Sequence, residues 1–223
     1  MTQPRKIKAM IILIASQKGG CGKSTLATNI SAALAIKNKN VLLVDADKQF
    51  SASKWALARS ESQKKQPHVH WINKDGNIGL GLKDLDATNK IIIVDTAGRD
   101  SIEMRSAMLV ADKILIPSRP AQFDLETLPH ISDIINAAKE VNESLQAFVV
   151  ITMSPSNTQL DTQEAIAFVK QFDNIVLCNT IIGDRKIFRD SSSTGLSVTE
   201  LPAKTSSDKA GKAELLALIE EII

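Results

Sequence analysis

The chain predicts an α/β fold in one domain spanning residues 1–223, a mostly parallel sheet with helices on both faces. Three observations lead there. Short, unbroken runs of β-branched and leucine residues alternate with amphipathic stretches, as parallel strands buried on both faces alternate with crossover helices. Two of these runs end in aspartate, at the carboxyl edge where open α/β sheets bind ligands. No internal repeat and no low-complexity linker divides the chain.

In order along the chain, Ala9–Ala15 reads as the first strand, followed by a glycine-rich turn and a helix from Leu26 to Lys37, with Leu26, Ile30, Ala33 and Leu34 at helical spacing. Val41–Val44 is the second strand. Ser51–Lys65 reads as a helix burying Trp55 and Leu57, Val69–Ile72 as a short strand, and Gly76–Asp86 as a short helix in which glycines compete with the leucine pattern. Ile91–Val94 is a buried strand, Ser101–Val110 a helix, and Lys113–Ile116 a strand leading into the stiff loop Pro117–Pro120. A long amphipathic helix is expected from Phe123 to Asn142, with Pro129 near its first turns. Ala147–Thr152 (strand), Thr158–Phe172 (helix), Ile175–Leu177 (strand), a polar and basic stretch Gly183–Gly195, and a helix Lys209–Ile223 complete the chain. Right-handed crossovers would bring the turn after the first strand, Asp45, Asp47 and Asp95 to one edge.

Composition narrows the function. Hydrophobic residues make up 43%, enough for an ordinary core, and the net charge of +2 calls for no nucleic acid or membrane partner as a whole, so any such contact must be a local patch. Aromatics are 4% with no Tyr, against a stacking platform for single strands; Phe50, Trp55 and Trp71 read as packing residues. Cys21 and Cys178 lack the paired spacing of a metal site and suggest a reducing cytoplasm. Met1–Lys8 is basic and precedes an apolar run, but without a small-residue cleavage site, so no export signal is expected. No apolar run approaches the roughly 20 residues of a bilayer span.

The turn itself is Gln17-Lys18-Gly19-Gly20-Cys21-Gly22-Lys23-Ser24-Thr25. Between a strand and a helix, such a turn lets backbone N–H groups converge on phosphate oxygens, and the helix adds its positive end. Gln17 stands where the phosphate-loop pattern G-x-x-x-x-G-K-[ST] has its first glycine, so the strand and helix around it carry the reading. Lys23 is expected on the β- and γ-phosphates of ATP, Ser24 on Mg²⁺ and Thr25 on the α-phosphate. Asp95 would hold the metal directly or through water, Gly98 would offer its N–H to the γ-phosphate, Asp47 would orient the attacking water, and Asp45 would support the strand end and the metal shell. Lys18 has no role in the simple pattern.

Three motifs together, Lys18–Thr25, Val44-Asp45-Ala46-Asp47-Lys48-Gln49 and Val94-Asp95-Thr96-Ala97-Gly98, with the loop after Ile116-Pro117, resemble the ParA/MinD family of deviant Walker ATPases over essentially the whole chain. The resemblance implies an ATP-dependent sandwich homodimer in which Lys18 crosses to the partner's phosphates, and slow hydrolysis that releases the dimer. Within the family the chain looks like the small ParA proteins of plasmid or chromosome partition, since it starts near the first strand without a helix-turn-helix extension. A ParB-like adaptor, cytoplasmic localisation and nucleoid association in the ATP state follow by implication. Lys48 departs from the proline usual at that position and bears on the mobility of the loop carrying Asp47.

Nonspecific double-stranded DNA binding by the ATP dimer is expected near Arg185, Lys186 and Arg189, with Lys204 helping; Asp184 and Asp190 dilute that patch. The base-binding residues are not specified by any motif, Met153–Ser156 and the stretch after Pro202 being the candidate segments. Among other functions, a MinD-like membrane ATPase would need a basic amphipathic tail, whereas the last helix carries Glu214, Glu220 and Glu221. An iron–sulfur carrier of the nitrogenase-iron-protein type would need bridging cysteines that Cys21 and Cys178 do not provide. Positioning of another cargo, such as a microcompartment or conjugation complex, would use the same ATPase motifs.

Overall fold

The computed structural model describes residues 9–62, 66–85, 90–155 and 159–223. Met1–Lys8, the expected helix ends at Lys65 and Asp86, and the expected helix start at Thr158 lie outside them.

The seven strands are β1 (Met10–Ile14), β2 (Val41–Ala46), β3 (His70–Asn73), β4 (Ile91–Thr96), β5 (Lys113–Ser118), β6 (Gln146–Ser154) and β7 (Val176–Gly183). They form one parallel sheet in the order β3-β2-β4-β1-β5-β6-β7. The winding reverses at β1, which places the loop after β1 in the crevice where such sheets take ligands.

The apolar strand runs are explained by their two faces. Ile11 and Leu13 point into one core with Ile92, Val94, Ile114 and Ile116. Helices α3 (Gly79–Leu85), α4 (Ile102–Met108), α6 (Leu128–Lys139) and α7 (Gln159–Val169) cover that face. Ile12 and Ile14 point into the other core with Leu43 and Ile93. There, α1 (Lys23–Ile36), α2 (Ser51–Glu61), α8 (Lys186–Thr194) and α9 (Ser206–Ile222) provide the cover. With period-2 alternation both sets are buried, and no polar stripe is left to break the run. Burying one such Leu or Ile contributes about 1.5–3 kcal/mol.

Several expectations are corrected. The long helix over Phe123–Asn142 is two elements, the single turn α5 (Gln122–Leu125) and α6, with Pro129 in the first turn of α6 where no N–H bond is required of it. The polar stretch Gly183–Gly195 contains α8, capped by Gly195 in the left-handed conformation. The last helix starts at Ser206 under a Thr205/Asp208 capping box, a polar start signal that precedes its apolar period. In α2 the buried stripe is Ala52, Trp55, Ala56 and Arg59, whereas Leu57 is exposed. Phe50 is not core either: it is 43% exposed and caps α2 at φ 54.

Candidate nucleotide site

The loop after β1 passes directly into α1, whose first turn is Lys23, Ser24 and Thr25, three residues earlier than the apolar period suggests. Their N–H groups are the unpaired donors of the helix end, aimed at the loop. Gly20 and Gly22 adopt φ 75 and 94, which a side chain would strain, so glycine spacing here is a backbone requirement. The loop is pinned from two sides. Thr152 Oγ1 donates to Cys21 O at 2.9 Å from β6, and Ser16 Oγ donates to Lys18 O at 2.9 Å.

The two lysines of the loop stand in opposite environments. Lys23 is 6% exposed, and its ammonium donates to Lys18 O at 2.9 Å and Ser16 Oγ at 3.2 Å, so its charge sits within the cradle. Lys18 is exposed on the outer limb.

Asp95 ends β4 and lies in register between Ile14 of β1 and Asp45 of β2. It is fully buried, and neither carboxylate oxygen has a hydrogen-bond partner. Burial pushes its pKa up to about 7; the nearby Ser24 hydroxyl opposes this, Asp45 adds to it, and Lys23 opposes it. A buried carboxylate beside a hydroxyl is a pair of oxygen donors that a divalent cation would satisfy, and the Lys23 ammonium would serve the phosphates instead. Among the described residues no group of three or more His, Cys, Asp or Glu side chains could hold a metal. The Ser24 hydroxyl beside the Asp95 carboxylate fits Mg²⁺, an ion that ordinarily takes one or two protein oxygens and would complete its shell with phosphate oxygens and water.

Asp45 supports its loop. One carboxylate oxygen accepts from Asp47 N at 3.1 Å and the other from Ser53 N at 2.8 Å. These bonds position Asp47 and the start of α2, which is the strand-end support expected of Asp45. Asp47 is half-buried, held in a turn by Gln49 N to its own carboxylate at 3.0 Å and Phe50 N to its carbonyl at 2.9 Å. Gly98 lies across the phosphate loop: a Cβ there would come within 2.7 Å of Gly19 N and Lys18 O, so only glycine permits the contact.

Beside Gly22 and Thr25 opens a cavity of about 440 Å³, with Met153 and Ile182 from the sheet and Phe188 from α8 among its walls. Its size and mostly apolar wall suit a nucleoside continuing from the phosphates. Met153 is held at φ 51, a left-handed conformation uncommon for a side chain this large. Of the base-site candidates, Met153 is in the wall, Ser156 lies outside the described residues, and the stretch after Pro202 does not line the cavity. Ile182 and Phe188 went unnoticed in the sequence because β7 runs past Leu177 and because α8 has only two apolar residues, Ile187 and Phe188, in an otherwise polar stretch.

The expected DNA cations are differently placed. Arg185 is tied to Glu214 of α9, with Nε to Oε2 at 2.9 Å, and is only 23% exposed, so its assignment to DNA is withdrawn. Lys186 pairs with Asp190 at 2.7 Å and Arg189 with Asp184 at 2.5 Å, both on the surface, and Lys204 is exposed. Arg185 and Arg189 also border the cavity. No helix among the described residues is long and apolar enough to cross a membrane.

A family model described as the CobQ/CobB/MinD/ParA nucleotide binding domain matches residues 12–198. The maintenance of carboxysome distribution protein A of Halothiobacillus neapolitanus is 28% identical over 219 residues, 97% of each chain. Protein ParA of Rhizobium radiobacter is 31% identical over 144 residues, 64% of each chain. Among solved structures, a Cyanothece McdA variant in complex with ATP matches with a TM-score of 0.74 at 17% identity, over 95% of this chain and 96% of that one. A putative plasmid partition protein from Borrelia burgdorferi bound to AMPPNP matches with 0.71 at 20% identity, over 96% and 100%. Both structural likenesses bear on the fold.

Proposed function

The chain belongs to the CobQ/CobB/MinD/ParA nucleotide-binding family, and from that membership we propose that it is a ParA-like, Mg²⁺-dependent ATPase that acts as a dimerisation switch for positioning a cargo. The observation that carries the reading is the split between the two lysines of one loop, Lys23 buried in the cradle and Lys18 exposed outside it. One lysine serves the phosphates of its own chain. The other is presented to a second copy.

Ser24 and Asp95 would hold Mg²⁺, which when bound neutralises charge on the phosphates. Lys23 and the first-turn N–H groups of α1 bind the phosphate oxygens. Gly98 places its N–H beside the loop as a γ-phosphate sensor, and Asp47, positioned by Asp45, orients the attacking water. Lys18 of each copy engages the nucleotide of the other, so loss of the γ-phosphate weakens the dimer. The ATP dimer binds double-stranded DNA without sequence preference through Lys204 and through Lys186 and Arg189, whose surface ion pairs, each worth about 0–1 kcal/mol, are easily exchanged for phosphate. A ParB-like adaptor on the cargo stimulates hydrolysis.

The relative named for carboxysome distribution aligns over 97% of both chains, which favours a compartment as an alternative cargo to a plasmid or chromosome. Glu214 and Glu221 of α9 face β7, where Glu221 accepts from Asn179 N at 2.7 Å and Thr180 N at 2.8 Å, so these two carboxylates fasten the last helix to the sheet.

Light scattering with ATP tests the switch. Lys18→Ala should bind nucleotide as a monomer without dimerising, and Asp47→Ala should dimerise without hydrolysing; normal dimerisation of Lys18→Ala would overturn the reading. With the Asp47→Ala dimer, DNA affinity should fall steeply with salt, by a log–log slope near −0.9 per phosphate neutralised, and vanish with ADP.

A further inference from the structure

Arg119 lies in the stiff loop after Ile116-Pro117, and none of the motif roles falls on it. β5 runs beside β1 with Leu115 opposite Ile14, and Leu115 O accepts from Ala15 N at 3.1 Å, so the residues after β5 rise alongside the phosphate loop. Arg119 there donates from Nε and Nη2 to the two carboxylate oxygens of Asp124, at 3.1 and 3.0 Å. Asp124 is 4% exposed, while the Arg119 side chain keeps 41%. Asp124 is itself held in α5, where Thr127 Oγ1 donates to its carbonyl at 2.7 Å.

The pair is therefore lopsided. A buried carboxylate fixes one edge of a guanidinium whose other edge, at Nη1, has no hydrogen-bond partner among the described residues. A forked guanidinium oriented in this way is suited to a second anion, because its planar donors are set before the anion arrives. The Asp124 hydrogen bonds raise its pKa above the ordinary arginine value. In the phosphate loop, Cys21 Sγ is 3.8 Å from Lys23 Nζ. Arg119 follows β5 at the sheet edge that carries the loop, and Lys23 occupies the cradle from within.

We propose that Arg119, oriented by Asp124, is a further phosphate-recognition residue of the nucleotide site, its open edge serving the phosphate chain held in the loop after β1. The inference rests on the nucleotide reading given above. An arginine that only fastened α5 to the sheet would affect stability and leave nucleotide affinity and its salt dependence alone.

The test is calorimetric titration of the full chain with MgATP at two salt concentrations, paired with melting curves. Arg119→Gln should lower affinity by roughly 10-fold or more, the scale of a lost charge-assisted hydrogen bond, and flatten the salt dependence. Asp124→Asn, which leaves the charge but loosens its aim, should lower affinity a few-fold and keep the salt dependence. Wild-type affinity and salt dependence in a folded Arg119→Gln protein would overturn the proposal. If that variant does not melt cooperatively, Arg119→Lys decides, because it keeps the charge and loses the fork: intermediate affinity supports the proposal and wild-type affinity overturns it. Lys23→Ala separates the two readings. Lost binding there with normal binding in Arg119→Gln sinks only the role of Arg119, whereas normal binding in Lys23→Ala sinks the nucleotide site itself.

Discussion

Asp95→Asn should stabilise the nucleotide-free protein at alkaline pH while removing its response to Mg²⁺ and nucleotide. Burial raises the Asp95 pKa from 3.8 to about 7. Because the folded-state value is the higher one, the native protein binds the proton more tightly, so the stabilisation is full below pH 3.8 and lost as pH rises through about 7. At pH 8 the folded chain carries an ionised carboxylate whose two oxygens have no hydrogen-bond partner. About three pKa units at 1.36 kcal/mol each set an order-of-magnitude ceiling of ~4 kcal/mol on that penalty. An asparagine removes the charge but leaves a buried amide to satisfy, at about 1–3 kcal/mol, so a net gain of about 1–3 kcal/mol is expected at pH 8. For a chain of this size that is a rise in Tm of about 3–10 °C. Melting curves at pH 5.5 and 8.0, with and without MgATP, give four readings. The variant should lie within about 1 kcal/mol of wild type at pH 5.5, exceed it at pH 8.0 without ligand, and gain little from MgATP, which stabilises whatever binds it. A variant less stable than wild type at pH 8.0 without ligand would refute the reasoning, because it would mean that the carboxylate is already stabilised in the empty fold.

Gly98→Ala should weaken MgATP binding at least about 10-fold with a stability loss of about 1–3 kcal/mol, since its Cβ meets backbone at 2.7 Å and the loop must shift; titration calorimetry beside chemical denaturation checks both, and unchanged affinity would mean that the loop yields elsewhere. Asp45→Asn has one good acceptor for the two N–H groups of Asp47 and Ser53, so it should lose about 1–3 kcal/mol and slow hydrolysis while keeping ATP affinity, in contrast to a metal ligand. Arg59→Ala should cost about 3–5 kcal/mol in a denaturant titration, because it strands Glu200, which Arg59 meets at 2.7 Å, and also loses its bonds to the carbonyls of Gly195 and Pro67. A loss below 1 kcal/mol would show that the clamp is replaceable.

The fold class and the phosphate cradle were legible because their signals are local. Unbroken strand runs arise where both faces are buried, and glycine spacing reports backbone conformation directly. The rest of the site was not legible, for the opposite reason. Phe188 and Ile182 reach the cavity from a mostly polar helix with only two apolar residues and from a strand interrupted by Asn179 and Thr180, so too few apolar residues mark either. The DNA patch shows the limit of reading charge along the chain. Arg185 is adjacent to Lys186 in sequence, but its partner Glu214 is 29 residues away in α9, and only the fold brings them together. Asp45 and Asp47 look alike as strand-end carboxylates, and what separates their roles is the backbone N–H groups that Asp45 accepts.

The hydrogen bonds also divide the site into a part that is fastened and a part left to respond. Helix α1, which carries Lys23, Ser24 and Thr25, is bolted to the cavity wall: Asn29 Nδ2 donates to Ser191 Oγ at 3.0 Å, and Asn29 Oδ1 accepts from Val198 N at 2.7 Å. The segment after α8 is in turn clamped to α2 by Arg59 and Glu200. The loop after β1 and the wall of the neighbouring cavity therefore ride on one body, and changes at one need not loosen the other. On the γ-phosphate side the ties are lighter. Gly98 touches the loop by van der Waals contact, and Asp47 sits in a four-residue turn ending at Phe50, whose left-handed backbone is uncommon for an aromatic residue. A switch that keeps its nucleotide while it senses the terminal phosphate requires this asymmetry, since a segment can report the γ-phosphate only if its two arrangements differ by less than the contact is worth.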